Sequence, residues 1–250
     1  MVDDRPARRA APSVSAGLTA RARRLRARAA DYAYAGAQQV EHGLHHGRPV
    51  PTGTGDRAPV VLLPGVYETW QFLRPVAGPL AAAGHPVHAV PGLGYNRRPV
   101  AEAANLVATY LERTDLRGVV FVAHSKGGLI GKKVMLSEAG GRVAGMVAVA
   151  TPFLGSRWAR YLVGRTLRAF SPTDAELLAL VAERAVDVRI TAVYPRFDPH
   201  IPESGALPGA TNIELPLAGH FKPLGDPRLV GVVLREVERR AETAAPRPEP

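Results

Sequence analysis

One stretch constrains this chain more than any other: Gly118-Val119-Val120-Phe121-Val122-Ala123-His124-Ser125-Lys126-Gly127-Gly128-Leu129-Ile130-Gly131. Val119 to Val122 are apolar and mostly β-branched, the signature of a buried strand. Leu129, Ile130, Val134 and Met135 then fall on one face of a helix. Between the two lies a serine with small residues two positions to either side, Ala123 and Gly127. Small neighbours allow a sharp, strained turn that lifts one hydroxyl above the end of a sheet. The helix starting beside Ser125 directs its first amides and its positive dipole end at any anion that forms there. An ordinary Gly-containing strand-to-helix loop fits the same residues, so the remainder of the chain has to decide between the two readings.

That remainder alternates. Strands are predicted at Val60–Leu63, Val87–Val90, Met146–Val149, Val188–Tyr194 and Ile213–Leu215, besides the one before Ser125. Helical patterns cover Glu68–Ala83, Val100–Arg113, the segment after Ser125 to about Ala139, Ser156–Arg184 and Pro227–Glu242. Strands separated by helices of this length form crossover units. The expected fold class is α/β, with a mostly parallel central sheet covered by helices on both faces and an Arg-rich helix at the N-terminus. Residues 1–57 read as a basic arm, helix and linker, residues 58–242 as the main domain, and residues 243–250 as a Pro-rich disordered tail.

Composition narrows the function. With 250 residues, 46% of them hydrophobic, the chain can bury one sizeable core. The lack of cysteine excludes disulfides, thiolate metal sites and a cysteine nucleophile. Of the +10 net charge, a disproportionate share falls in residues 1–57, which hold ten Arg and no Lys. The basicity belongs to the arm and not to a groove on the main body, which argues against nucleic acid as the partner. Within the arm, Leu18, Ala22, Leu25, Ala29, Tyr32 and Gly36 form a narrow apolar stripe on a predicted helix from Leu18 to Val40. Arg21, Arg23, Arg24, Arg26 and Arg28 surround that stripe. Such a helix either docks one edge on the main domain or touches an anionic membrane or a partner. Residues 1–16 show no period and are expected to be disordered. No apolar run of membrane-spanning length occurs, and none follows Arg8-Arg9. The expectation is therefore a cytoplasmic protein, associated with a membrane at most peripherally. Glu41, His42, His45 and His46 look like metal ligands, but in a Gly/Pro-rich linker nothing fixes their geometry, and no metal is expected.

Reactive groups in open parallel sheets gather at the carboxyl ends of strands. After the first strand comes Pro64-Gly65-Val66-Tyr67-Glu68-Thr69-Trp70, a tight turn in which the Val66 amide can face a ligand. Together with the amide of Lys126 it makes two donors for an oxyanion. Asp198 follows the strand at 188–194, between Pro195 and Pro199, and His220 follows the last strand in Leu217-Ala218-Gly219-His220. Ser, Asp and His thus occur in that chain order, each just after a strand.

At these residues the chain resembles the α/β-hydrolase superfamily, and within it bacterial lipase- and esterase-like proteins, over roughly residues 58–240. The carriers are Leu63 to Trp70, Ala123-His124-Ser125-Lys126-Gly127-Gly128, Ala150-Thr151-Pro152-Phe153-Leu154-Gly155-Ser156, Asp198 before Ile201-Pro202, and Gly219-His220. The resemblance implies Ser125 as nucleophile, His220 as general base and then acid, Asp198 as the carboxylate that orients His220, and the amides of Val66 and Lys126 as the oxyanion hole. Two positions depart from the family pattern: Ala123 stands where the elbow's first glycine is usual, and Pro64-Gly65 where His-Gly is often found. Ser125 argues against the branches that use Asp as nucleophile. The implied activity is hydrolysis of carboxylic esters with a hydrophobic acyl group through an acyl-enzyme, needing neither metal nor organic cofactor. Thioester or amide cleavage on the same triad, and a non-catalytic binding role, are the alternatives. Tyr67, Phe153, Leu154 and Trp158 are the expected substrate-pocket residues. For residues 153–170 an ordinary amphipathic helix packed on the sheet fits equally well.

Overall fold

The computed structural model describes residues 14–45, 49–161 and 165–244. The expected disorder of the first thirteen residues and of 245–250 lies outside these ranges, as do His46 and Leu162. The strands are β1 (Val60–Leu63), β2 (Val87–Ala89), β3 (Val119–His124), β4 (Val143–Val149), β5 (Ile190–Phe197) and β6 (Thr211–Ala218). They form one sheet in the order β2-β1-β3-β4-β5-β6, parallel throughout. The helices are α1 (Val14–His45), α2 (Arg74–Ala82), α3 (Val100–Arg113), α4 (Lys126–Met135), α5 (Arg165–Arg168), α6 (Ala175–Ala182) and α7 (Pro227–Ala244). α1 starts before the expected Leu18 and takes in three residues of the segment expected to be disordered.

The sheet is buried because its strands are apolar on both faces. Val61, Leu63, Phe121, Ala123, Met146 and Ala148 pack on one side with Val107 and Leu111 of α3 and Leu129 and Ile130 of α4. Val60, Leu62, Val120, Val122, Val147 and Val149 pack on the other, with Val76 and Leu80 of α2 and Leu229 and Val233 of α7. The alternation is the two-residue pleat of a strand, satisfied twice. No helix among the described residues is long and apolar enough to cross a membrane.

Two helical expectations require correction. The segment 68–83 is not one helix: Thr69 is extended, a 3-10 turn occupies Trp70–Leu73, and α2 begins only at Arg74. Glu68 folds its carboxylate back onto the amide of Gly65 at 2.8 Å, which holds the turn open before the helix. The segment 156–184 is likewise broken, into a 3-10 turn at Ala159–Tyr161 and the helices α5 and α6. Pro172 cannot donate inside a helix. Asp174 restarts the chain by capping α6, its side chain accepting the Leu177 amide at 3.0 Å.

Candidate active site

Ser125 joins β3 to α4 with φ 50° and ψ −120°, a conformation that side chains rarely adopt. Strain of this kind costs on the order of 1–3 kcal/mol and persists only where the surroundings enforce it. Here they do. The Ser125 amide donates to Val149 O at 2.9 Å, and Gly128 donates to Ser125 O at 3.1 Å. The helix fits against β1 and the loop after β4 because Gly127 and Gly128 in its first turn carry no side chains. A Cβ on Gly127 would lie 1.9 Å from Leu63 O, and one on Gly128 2.1 Å from Thr151 Oγ1. Ala123, fully buried, stands in register with Leu63 and Ala148.

His220 and Asp198 meet from the carboxyl ends of β6 and β5. His220 Nδ1 donates to Asp198 Oδ2 at 2.7 Å, and both residues are buried. The other carboxylate oxygen accepts the amides of His200 and Ile201 at 2.7 and 3.0 Å. Burial alone would raise the Asp198 pKa, but the His220 charge and these hydrogen bonds outweigh it and hold the carboxyl below its ordinary range. For His220, burial pushes downward and is outweighed by the charge and hydrogen bond of Asp198, so its pKa is raised. With Nδ1–H committed to Asp198, the second ring nitrogen is left to accept a proton.

A further set of residues, not legible as a motif, ties the parts together. Glu68 and His124 are both buried, and His124 Nδ1 lies 2.8 Å from each Glu68 oxygen. On its other side His124 Nε2 reaches His220 O at 3.1 Å. Through Glu68 the same pair holds the Gly65 amide, so one buried network spans the turn after β1, the residue before Ser125 and the His220 loop. The Lys126 side chain is also buried. Its Nζ donates to Asn96 O at 2.8 Å and to Arg98 O. Burial pushes this ammonium down to about 8, with Glu102 pulling it partly back. Asn96 in turn donates to Pro64 O at 2.7 Å, so Lys126 braces the turn after β1 from behind.

Ser125 and His220 open onto the same cavity, of about 550 Å³. Val66, Tyr67, Phe72, Trp158, Leu167, Phe170 and Ile201 give it mostly apolar walls. Of the four residues expected in a substrate pocket, Tyr67 and Trp158 line this cavity. Phe153 and Leu154 do not: Phe153 is a fully buried core residue and Leu154 is exposed. Phe153 joins the core because its side chain turns inward, toward the face shared with Leu129 and Ile130.

One wall of the cavity comes from α1, through Arg28, Tyr32, Ala35 and Gln39. Of the two sequence readings for this helix, docking one edge on the main domain agrees with this placement. It is fastened by polar contacts: Asp31 Oδ1 accepts the amides of Phe221 and Lys222 at 2.8 Å each, and Gln39 donates to Tyr67 O at 2.8 Å. Glu41 pairs with Arg74, and His42 Nδ1 lies 3.3 Å from Thr69 Oγ1. Those two candidate metal ligands are thus engaged elsewhere, and among the described residues no group of three metal-capable side chains exists.

Comparison with protein-family profiles and with curated protein sequences finds no match. Comparison with solved structures does. The chain is similar to a monoacylglycerol lipase of Paleococcus ferrophilus at 18% identity, over 77% of this chain and 97% of that one, with a TM-score of 0.58. It is similar to an α/β-hydrolase enzyme from the sediment metagenome of the Mar Chica lagoon, Morocco, at 15% identity, over 76% and 94%, with a TM-score of 0.58. A putative non-heme bromoperoxidase from Mycobacterium tuberculosis H37Rv matches at 17% identity, over 75% and 94%, with a TM-score of 0.60. The parallel sheet flanked by helices, with its strained serine turn, is the α/β-hydrolase fold.

Proposed function

We propose that the protein is a serine hydrolase that cleaves carboxylic esters carrying a hydrophobic acyl group. One observation carries this reading: a strained serine between strand and helix shares an apolar cavity with a buried histidine whose other nitrogen is held by a carboxylate at 2.7 Å. Lipases and esterases among the structural neighbours, such as the monoacylglycerol lipase, agree with it. In the proposed cycle His220 takes the proton of Ser125 as its oxygen attacks the ester carbonyl. The amides of Val66 and Lys126 hold the oxyanion, each such donor contributing roughly 3–4 kcal/mol to the transition state. His220, its positive charge balanced by Asp198, returns the proton to the leaving alcohol, and water then releases the acid. The apolar walls at Phe72, Trp158, Leu167 and Phe170 receive the acyl chain.

The test is hydrolysis of p-nitrophenyl esters of graded acyl length by wild type and Ser125→Ala. Hydrolysis that peaks at one chain length and disappears in the variant is expected. Equal turnover by both would remove Ser125 from the mechanism. We also propose that Arg21, Arg23 and Arg26, exposed on α1, make a peripheral contact with anionic membrane beside the cavity.

A further inference from the structure

Asp31 belongs to α1, yet it is 0% exposed and sits against the loop that carries His220. Its Oδ1 accepts the amides of the two residues following His220, at 2.8 Å each. On the other side of His220, Gly219 has φ 117° and is packed so tightly that a Cβ would lie 2.4 Å from the same oxygen. The loop is therefore gripped on both sides of the histidine by one side chain. The second oxygen, Oδ2, is buried without a hydrogen-bond partner, and no Lys or Arg side chain among the described residues pairs with the carboxylate.

An unpaired buried carboxylate is costly, and accepting two amides does not require a charge, since an asparagine oxygen accepts as well. The buried, unpartnered Oδ2 therefore calls for a reason beyond docking. The positive group that arises beside Asp31 is the imidazolium of His220, formed when the ring takes the serine proton. We infer that Asp31 is a positioning residue for His220, fixing the loop at 219–222 and supplying a second carboxylate, alongside Asp198, to the charged form of the ring. The inference rests on the serine hydrolase reading. His220 faces Asp198 and His200 from the loop after β5, His124 from β3, Glu68 from the turn after β1, and Asp31 from α1. Burial lowers its pKa most strongly, and Asp198, Glu68 and Asp31 together reverse that. His200 opposes them little as a charge, because burial and the His220 charge push it down to about 4.

The two functions of Asp31 separate in two variants. Asp31→Asn keeps the amide acceptor and removes the charge; Asp31→Ala removes both. The measurement is the second-order rate of fluorophosphonate labelling of the full-length chain across about pH 5 to 9, where histidine titrates. Labelling requires neutral His220, so its rate rises with pH through the histidine's pKa. Without the Asp31 charge that pKa falls, and the rising limb of Asp31→Asn is expected at lower pH, with a plateau near that of wild type. Asp31→Ala should in addition lose about tenfold or more of the plateau rate, the usual result of letting a catalytic group drift. A limb unmoved in Asp31→Asn overturns the inference, even if Asp31→Ala fails to fold. A wild type that does not label at any pH overturns the hydrolase reading and this inference with it, whereas a labelling wild type with unchanged variants overturns this inference alone.

Discussion

The proposed chemistry turns on three side chains that follow three different strands, and the pKa shifts of two of them, Asp198 and His220, have opposite signs for one reason. Asp198 is held ionised by His220 while His220 is held protonated by Asp198, each against the burial that would neutralise it. Only the neutral imidazole can take the serine proton. A raised histidine pKa therefore places the acidic limb of kcat/KM above about 6.5, the ordinary value. Activity should be full above that limb and fall as the pH drops through it. Asp198→Asn keeps the shape but loses the charge and the tautomer control, and is expected to lower kcat about 10⁴-fold with the melting temperature little changed. Asp226→Asn is the matching control. That carboxylate pairs with Arg228 at the start of α7, and its loss should leave kcat unaltered. Ser125, Asp198 and His220 were legible because each directly follows a strand signal. Asp31, Glu68 and His124 were not, since their roles depend on partners far away in the chain, 190 residues for Asp31 and Phe221. No spacing encodes such a pair.

At the scale of elements, the strands were read closely and α1 was read on the wrong face. Its periodic stripe suggested docking through Leu25 and Tyr32, yet these are each 58% exposed. The face turned to the body presents Asp31, Gln39, Glu41 and His42 instead. Hydrophobic periodicity detects helices that dock by burying hydrocarbon, and it is blind to one fastened by hydrogen bonds. Tyr32 meets the body at the cavity, while Leu25 stays outside and with the exposed arginines defines the membrane-facing proposal. Each such arginine near an anionic surface is worth on the order of 1 kcal/mol. Sedimentation with phosphatidylserine vesicles should show binding that weakens as salt rises. It should be lost in the triple variant Arg21→Glu, Arg23→Glu, Arg26→Glu, with ester hydrolysis in solution retained. Salt-independent binding, or binding by the variant, would rule this face out. Periodicity also overran the breakers at 156–184, where apolar residues suggested one helix but Pro172 and the Asp174 cap divide it.

Across the molecule, the doubly covered sheet was legible because both of its faces are written into continuous apolar strands. Its charged interior was not. Lys132 of α4 and Asp187 ahead of β5 lie 2.7 Å apart with both side chains nearly inaccessible, close but poorly aligned for a hydrogen bond. Removing one partner of such a pair leaves an uncompensated charge in the core. Lys132→Ala should cost about 3–5 kcal/mol in urea unfolding, while Lys132→Met with Asp187→Leu should recover most of it. A double variant as unstable as the single would mean that the charge itself is not the cause.

The grip of α1 on the His220 loop also bears on how the protein comes into being. During synthesis the helix leaves the ribosome before any strand of the sheet, and N-terminal elements ordinarily fold ahead of later ones. The amides that Asp31 holds are not made until 190 residues later. Until then the helix can rest only on the segment after β1, through Gln39, Glu41 and His42, and the Asp31 carboxylate stays in water. The brace of the histidine loop arrives late in translation, so a nascent chain has Ser125 long before it has a finished pocket.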